Sequence, residues 1–534
     1  MKSIRITSFN ATRLVFAAAL VGAAGTGGCS SCNSTSSVRA DAGEDTGKPE
    51  KDGGSHADAR PDAKGTKDAK ADVTEGGTTA CSKHLPAGFT QAVVSTGVTS
   101  VLTGSGGARA SAMVLDENDD PMFAFASADS NTAWSIQFTR WDSCAGKFTA
   151  PITVDTEHQD GPADVSIAYD PTTKEVGIAY EKPDTDNDWA DGYSEVWLGT
   201  MKAPATTFTV ERLTVGSTDD NSAGSPSIAM TGGHIYIAFW DGPYSFSYPG
   251  LVLFLSSTTT PSLPSTNSPA QVIDAGAGDG AIAVTDDAGP DAGPVPTHFF
   301  TYQAMPFSGG YDGYATPLRT SATVSIAIDS SGAPAVAAYG LDNADYGKQV
   351  LFWRPGVQAV AAYSFAVDNG VDLSLAFDGT KPRIAGHMTT PTLDAGAVLP
   401  DTLTFLSSTD GVTWNLPVNL PSNDGQVSTS FASALALDGM GHASVVSDIN
   451  GSSDNTCGDN PYIATSADEA DGGALWTACG ADKTLVHKYE SYSVSASYGG
   501  SRLKGILTAS FVSNASRVTD GGADLDGIIY WQAE

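Results

Sequence analysis

Acidic and aromatic side chains share several loop-like segments of this chain, and together they could bind a polar ligand. The segments are Lys182–Glu195, Trp240–Gly250, Gly309–Tyr314, Leu341–Lys348 and Asp448–Tyr462. Aromatic rings stack on the C–H faces of sugars, and carboxylates accept hydrogen bonds from sugar hydroxyls. The candidate ligand-binding residues are Asp186, Asp188, Trp189, Tyr193, Trp240, Asp241, Tyr244, Tyr248, Tyr311, Tyr314, Asp342, Asp345 and Tyr346.

The same loops are rich in Asp and Asn oxygens, which makes Ca²⁺ a candidate ligand. The sequence contains no EF-hand loop with its terminal Glu, and the eight His residues are dispersed. We therefore expect no cofactor other than this candidate Ca²⁺, and any metal site stays unknown. Zinc-protease, nucleophile-elbow and phosphate-loop motifs are also missing from the sequence. A net charge of −33 argues against nucleic acid as a partner.

The elements that must position these loops are repeated hairpins. The segment Thr323–Gly340 reads as an alternating apolar strand, an Asp at the bend, a Ser-Ser-Gly turn and a second small apolar strand. Related hairpins recur roughly every 50–60 residues, apart from one long gap. Their bend residues are Asp116, Asp170, Thr231, Asp329, Asp378, Asp438 and Tyr498. We expect the bend aspartates to cap their turns rather than to bind a ligand.

Two further strand-like segments follow most hairpins, so the repeating unit is four antiparallel strands. Such a period predicts an all-β fold, a single β-propeller of seven four-stranded blades. The last unit has only three strands, which end at Gly527–Trp531. Phe89–Ser95 resembles an outer strand, and we expect it to complete the last blade and close the ring.

The long gap between hairpins begins with a low-complexity insert, residues 274–298, rich in Asp, Ala, Gly and Pro. Ile282–Val284 and His298–Gln303 leave an eighth, degenerate blade open as an alternative. Six blades or another all-β array are further alternatives.

The N-terminus carries targeting features. A basic start, an apolar stretch at Leu14–Ala24 and small residues before Cys29 resemble a bacterial lipoprotein signal. That resemblance implies cleavage after residue 28, lipidation of Cys29, and anchoring in the outer membrane, facing the cell surface or the periplasm. Residues 29–80 form a low-complexity linker that we expect to be a disordered tether, and residues 81–534 the propeller.

Four cysteines remain for the exported domain, and they predict two disulfides. Three pairings are open. We favour the local pair Cys457–Cys479, which leaves Cys81–Cys144 to tie the start of the domain to its first repeat.

One turn resembles the Asp-box of sialidase-like propellers. The segment Ser407–Trp414 reads SSTDGVTW, and Ser408, Asp410, Gly411, Thr413 and Trp414 match the motif in type. The resemblance implies a structural turn in which the Asp caps the backbone and the Trp packs between strands. It supports the fold rather than catalysis.

Three functions remain open. The first is a cell-surface lipoprotein whose propeller binds a glycan or a protein without catalysis, and it is the one we favour. The second is a sialidase-like glycoside hydrolase or lyase, although no convergent set of arginines is readable in the sequence. The third is an envelope scaffold without a small ligand.

Overall fold

The structure is a computed structural model, and it describes about three fifths of the residues beyond Thr78. The described residues are 83–84, 91–96, 111–130, 133–157, 164–183, 194–213, 221–243, 251–258, 271–274, 298–305, 324–342, 347–365, 371–388, 402–420, 433–447, 462–466, 476–478, 490–498, 507–514 and 527–532. All of them belong to the unit Thr78–Glu534, the second of the two into which the chain divides. In this part of the chain, no helix is long and apolar enough to cross a membrane.

The described strands form seven antiparallel sheets, which we number as blades one to seven. The first strand is β1 (Gln91–Thr96). Blade one holds β2 (Ser111–Leu115), β3 (Pro121–Ser130), β4 (Ala133–Asp142), β5 (Lys147–Phe148) and β6 (Ile152–Glu157). Blade two holds β7 (Val165–Asp170), β8 (Glu175–Pro183), β9 (Ser194–Lys202) and β10 (Thr209–Arg212). Blade three holds β11 (Asn221–Thr231), β12 (His234–Pro243), β13 (Leu251–Thr258), β14 (Gln271–Asp274) and β15 (Phe299–Ala304).

The remaining blades have four strands each. Blade four holds β16 (Val324–Ile328), β17 (Pro334–Asp342), β18 (Gly347–Trp353) and β19 (Val360–Phe365). Blade five holds β20 (Val371–Asp378), β21 (Lys381–Met388), β22 (Thr402–Ser407) and β23 (Val418–Asn419). Blade six holds β24 (Ser433–Leu437), β25 (Ala443–Ser447), β26 (Tyr462–Ser466) and β27 (Trp476–Ala478). Blade seven holds β28 (Glu490–Tyr498), β29 (Leu507–Asn514) and β30 (Gly527–Gln532), with β1 as its outermost strand.

The predicted ring closure is confirmed. β1 pairs antiparallel with β30, and Gln91 lies opposite Trp531. The first strand of each blade contacts the first strand of the next, in the order β2, β7, β11, β16, β20, β24, β28 and back to β2. The seven-bladed, all-β expectation is therefore correct for the described residues.

The alternative of an eighth blade does not hold for His298–Gln303, whereas Ile282–Val284 lies outside the described residues. The segment that suggested it contains β15, which pairs with β13 as the fourth strand of blade three, and β14 adds at its edge. The insert lies between β14 and β15 in the sequence, so it lengthens one blade's last connection and breaks the repeat spacing.

The hairpin Thr323–Gly340 shows why the repeats fold locally. One carboxylate oxygen of Asp329 accepts hydrogen bonds from the backbone N–H of Ser331 at 2.8 Å and of Ala333 at 3.1 Å. Gly332 has a φ of 84°, a left-handed conformation that glycine adopts without strain. The hydrogen bonds of Asp329 and the conformation of Gly332 therefore form the turn locally, and this brings the two apolar strands together to pair.

Serine hydroxyls link successive innermost strands. In five of the blades, a serine on the innermost strand accepts a backbone N–H from the innermost strand of the next blade. The pairs are Ser166 with Ile228 at 3.2 Å, Ser227 with Ile326 at 3.1 Å, Ser325 with Leu375 at 3.0 Å, Ser374 with Leu435 at 2.9 Å, and Ser495 with Met113 at 3.2 Å. The described strands of adjacent sheets share no ladder, so these bonds satisfy amides that face a neighbouring blade. We call these five serines the serine ring.

Near the start of the domain, Cys144 is disulfide-bonded. The backbone N–H of Lys83 donates to the carbonyl of Ser143 at 2.9 Å, and the indole N–H of Trp141 donates to the carbonyl of Lys83 at 2.9 Å. Cys81, Cys457 and Cys479 lie outside the described residues. The pairings Cys81–Cys144 and Cys457–Cys479 therefore stay predictions.

Replacing Ser325 by Ala should lower the free energy of unfolding by about 1–3 kcal/mol, because the buried N–H of Leu375 would lose its acceptor. Chemical denaturation monitored by tryptophan fluorescence measures the change. Ser433→Ala is a matched control, because Ser433 is also buried on an innermost strand and its hydroxyl has no hydrogen-bond partner among the described residues. Equal losses in the two variants would contradict the role of the serine ring.

Candidate functional site

The bend aspartates form turns in the structure. Asp116 accepts the N–H groups of Asn118 at 2.7 Å and Asp120 at 2.9 Å, and Asp438 accepts those of Met440 and His442 at 2.8 Å each. Asp170 also accepts the N–H of Gly233 in the next blade. We call this end of the propeller the bend face. These carboxylates bond to the backbone of their own turns, so a ligand site is expected at the opposite end of the propeller.

At that opposite end the innermost strands begin, and we call it the axial mouth. Three of these strands have a register shift close to their first residues. The shifts lie between Gly224 and Ser227 in β11, between Val371 and Leu373 in β20, and between Tyr492 and Ser495 in β28. Bulges bend a strand and redirect its side chains, and they are common beside binding and catalytic sites.

Two carboxyl side chains meet at the axial mouth, where blade two faces blade three. Asp164 immediately precedes β7, and Glu181 lies near the end of β8. The backbone N–H of Glu181 donates to the carbonyl of Asp164 at 2.9 Å, which brings the two residues side by side. Asp164 is buried, whereas Glu181 keeps partial exposure to solvent. We call these two residues the carboxyl pair.

Residues from β9 and β11 complete the surroundings of Glu181. The N–H of Ser225 donates to the Glu181 carboxyl group at 3.3 Å. The Ser194 hydroxyl lies next to the same carboxyl group and donates to the carbonyl of Ala223 at 2.8 Å. A Cβ atom on Gly224 would lie 2.7 Å from a Glu181 oxygen, so a larger residue here would require the carboxyl group to shift. The backbone is strained here, because Ser225 has a φ of 51°.

The environment keeps a proton on this pair. Burial, followed by the like charge of Asp164, raises the pKa of Glu181 to about 8 from 4.5, against the opposing effects of the nearby Ser194 hydroxyl and of the Ser225 N–H. At neutral pH the pair therefore offers a carboxylic acid that can donate a hydrogen bond and a carboxylate that accepts them. Groups with such raised pKa values, held by strained backbone, are typical of functional sites.

Among the described residues of the predicted binding set, Asp241 lies on the seam between blades two and three. It faces Ala223 across the β11–β12 ladder, and Ala223 accepts the Ser194 hydroxyl. Asp241 also shares a strand face with Phe239, which packs toward blade two. Burial raises the pKa of Asp241 to about 6.

Trp240 points the other way. It packs against the apolar cluster between blades three and four, and its indole N–H has no hydrogen-bond partner among the described residues. The structure therefore places these two neighbouring residues on opposite seams of blade three, with Asp241 on the seam toward blade two.

The other predicted binding residues are not described at the side-chain level. Asp342 is the last residue of β17 and lies opposite Gly347, and the described part of the structure covers its backbone only. Asp186, Asp188, Trp189, Tyr193, Tyr244, Tyr248, Tyr311, Tyr314, Asp345 and Tyr346 lie outside the described residues.

Cationic side chains near this end face the seam between blades one and two. Lys182 lies 3.1 Å from a carboxylate oxygen of Asp155 and 4.5 Å from the Trp197 ring centre. Arg212 forms an ion pair with the buried Glu195. Burial and the charge of Asp164 raise the pKa of Glu181, whereas Lys182 and Arg212 are paired with other carboxylates.

The sequence interpretation missed the carboxyl pair. Asp164 and Glu181 are the first and last residues of the second repeat hairpin, DVSIAYDPTTKEVGIAYE. The sequence signal for this pair was an acidic residue at each end of a buried hairpin. The two strands are antiparallel, so the start of the first and the end of the second lie next to each other.

The turn with the Asp-box resemblance lies on the bend face of blade five. The Asp410 carboxylate accepts the N–H groups of Val412 at 2.8 Å and Thr413 at 2.7 Å, and the Ser408 hydroxyl donates to the carbonyl of Thr413 at 2.6 Å. The ring of Trp414 meets that of Phe352 in blade four edge to face, with centroids 5.5 Å apart. These contacts hold the turn and join two blades.

Within the described part of the chain, no group of three or more His, Cys, Asp or Glu residues could hold a metal ion. The loops that made Ca²⁺ a candidate are almost entirely outside that part.

Comparison with known proteins returned no matching family model and no matching curated protein. Solved structures do match. A polysaccharide lyase, Uly1, is 11% identical, with a TM-score of 0.45 over 80% of this chain and 90% of that one. The NanB sialidase of Streptococcus pneumoniae is 12% identical, with a TM-score of 0.39 over 84% and 71%. The α-L-arabinofuranosidase Arb93A of Fusarium graminearum is 8% identical, with a TM-score of 0.37 over 79% and 91%. Similarities this remote indicate neither substrate nor activity for this chain.

The carboxyl pair makes stability depend on pH. Because the folded state raises the pKa of Glu181 above 4.5, it holds the proton to higher pH than the unfolded chain does. The free energy of unfolding should therefore fall as the pH rises from about 5 through about 8. Glu181→Gln mimics the protonated acid and should unfold at a higher temperature than the wild type at pH 9, with little difference at pH 4.5. Thermal scans at both pH values measure this, and parallel pH profiles for the two proteins would contradict a shared proton.

Proposed function

We propose that this protein is a lipid-anchored envelope protein whose propeller binds a glycan at the axial mouth between blades two and three, without chemical conversion. The carboxyl pair carries this proposal. Sugar hydroxyls both donate and accept hydrogen bonds, and Glu181 and Asp164 supply one donor and several acceptors within one partly exposed site.

The predicted acidic and aromatic loops support the same location. The chain leaves β8 at Pro183, two residues after Glu181, and leaves β12 at Pro243, two residues after Asp241. The segments that follow contain Trp189 and Tyr193 in one case, and Tyr244 and Tyr248 in the other. Aromatic side chains supplied beside a hydrogen-bonding pair would provide stacking surface for sugar rings.

A second candidate function is glycoside hydrolysis, and the raised pKa of Glu181 is the observation that favours it. A carboxylic acid that stays protonated near neutral pH, next to an ionised carboxylate, is the arrangement used to protonate a leaving-group oxygen. In this alternative Glu181 is the general acid and Asp164 the base or nucleophile.

Glycan-array screening of the purified protein tests the binding proposal. We expect Asp164→Asn to weaken binding of any captured glycan by about tenfold or more, since a charged hydrogen bond contributes about 1.5–3 kcal/mol. Glu117→Gln removes a carboxylate from the bend face and should bind as the wild type does. Equal binding by all three proteins would place the ligand elsewhere. Release of new reducing ends from the captured glycan by wild type, lost in Glu181→Gln, would instead support hydrolysis.

The anchor rests on the sequence features before and at Cys29. Lipidation would attach acyl chains whose burial contributes about 0.8 kcal/mol per CH₂. Cys29→Ser should therefore move the protein from the membrane fraction to the soluble fraction, as measured by fractionation and immunoblotting. A variant that remains in the membrane fraction after a salt and carbonate wash would contradict lipid anchoring through Cys29.

A further inference from the structure

Large apolar side chains are exposed on one part of the bend face. Within the described residues, those that stand out are Val357, which is 57% exposed, Val412 at 65%, Leu416 at 86% and Met440 at 70%. Val357 lies in the turn between β18 and β19, Val412 and Leu416 between β22 and β23, and Met440 between β24 and β25. They belong to three successive blades and open on the same end of the propeller. We call these four residues the apolar patch.

Contacts between the blades join the turns that carry the patch. The Gly411 backbone lies against the Phe352 ring, so the turn with Val412 rests on blade four. Arg383 donates to the carbonyl of Ser408 at 2.7 Å and lies 3.6 Å from the Asp378 carboxylate. Gly441, next to Met440, lies against that same carboxylate.

The turns are held before any partner arrives. The N–H of Val357 donates to the backbone carbonyl of Arg354 at 3.1 Å, and the Val357 carbonyl accepts the indole N–H of Trp353 at 2.8 Å. Val412 and Met440 each donate their N–H to the aspartate two residues earlier, at 2.8 Å in both cases. Side chains presented on ordered backbone lose little conformational entropy on binding, which favours association.

The charges around the patch indicate which class of partner can bind to it. Among the described residues at these turns, Arg354 pairs with Asp329 at 2.7 Å, Lys381 pairs with Asp378 at 3.2 Å, and the buried Arg383 lies 3.6 Å from the same Asp378 carboxylate. Asp410 is exposed beside Val412, and hydrogen bonds from Thr413 and Val412 hold the pKa of its carboxyl below the usual range. The chain as a whole carries a net charge of −33. A second copy and an anionic membrane would both be repelled, whereas a cationic partner would be attracted.

We propose that the apolar patch is a docking surface for a basic, amphipathic protein segment, whose apolar side chains pack on Val357, Val412, Leu416 and Met440. This surface lies at the opposite end of the propeller from the axial mouth. The protein would therefore hold a partner at one end while the other end stays open to a glycan.

The test uses the full-length protein and a fluorescent helical peptide of Leu and Lys with one apolar face. We expect Val412→Ser with Leu416→Ser to weaken peptide binding by about tenfold or more, because two exposed side chains lose apolar contact. Ala205→Ser, an exposed apolar-to-polar change on the bend face of blade two, is the matched control and should bind as the wild type does. A peptide with Ser in place of Leu and the same charge should bind far more weakly.

Three outcomes would overturn the proposal. Equal peptide binding by wild type and the double variant would mean that overall charge alone attracts the peptide. Self-association of the wild type in sedimentation, lost in the double variant, would assign the patch to a second copy. Binding to vesicles of equimolar phosphatidylcholine and phosphatidylglycerol, lost in the double variant, would assign it to a membrane.

Discussion

Contact between neighbouring innermost strands is the constraint on which the rest of this structure depends. The large apolar clusters lie between blades rather than within them. One cluster joins Phe138 of blade one to Ile178 of blade two, and another joins Phe239 of blade three to Leu198 of blade two. A single blade thus has no core of its own, and each is stable only between two neighbours. The pairing of β1 with β30 joins the two ends of the chain, which secures the ring.

The two ends of the propeller differ in structure: contacts on the bend face hold the blades together, and the axial mouth carries the carboxyl pair. On the bend face, side chains bond to the turns of neighbouring blades, as Asp170 does with Gly233 of blade three and Tyr169 does with Glu117 of blade one. At the axial mouth, bulges interrupt the ladders instead, and the carboxyl pair sits beside one of them. Because the bend face and the serine ring fix the blades, the opposite ends of the strands are free to depart from regular geometry.

Much of the fold was predictable from sequence because it rests on local patterns. Alternation marks each hairpin, and an Asp followed by Gly marks the turn, as at Asp329. The missing fourth strand of the last unit predicted closure by a strand near Phe89. The last strand of blade three was left open between the insert and an eighth blade, because the insert separates Phe299 from β13 and no local pattern records which strand a distant segment will join.

The candidate site was less predictable because its chemistry comes from residues that are distant in sequence. Nothing near Glu181 in the chain shows that Ser194 and Ser225 will enclose it or that Asp164 will be its charged neighbour. The role of Ser325 was hidden for the same reason, since its partner Leu375 belongs to another blade. Composition and alternation report burial, but they do not report which polar atoms will meet.

The carboxyl pair works against stability, and that is the strongest argument that it has a function. Two like-charged groups in a desolvated site oppose ionisation of Glu181, and Ser225 holds a left-handed backbone that a non-glycine residue adopts at a cost of about 1–2 kcal/mol. An amide in place of Glu181 would remove the repulsion without changing the shape of the site. The cluster around Phe239 and Leu198 supplies the packing that offsets this cost. Locally destabilising interactions within a well-packed fold are characteristic of binding and catalytic sites. Here the carboxyl repulsion and the left-handed Ser225 both lie at the axial mouth.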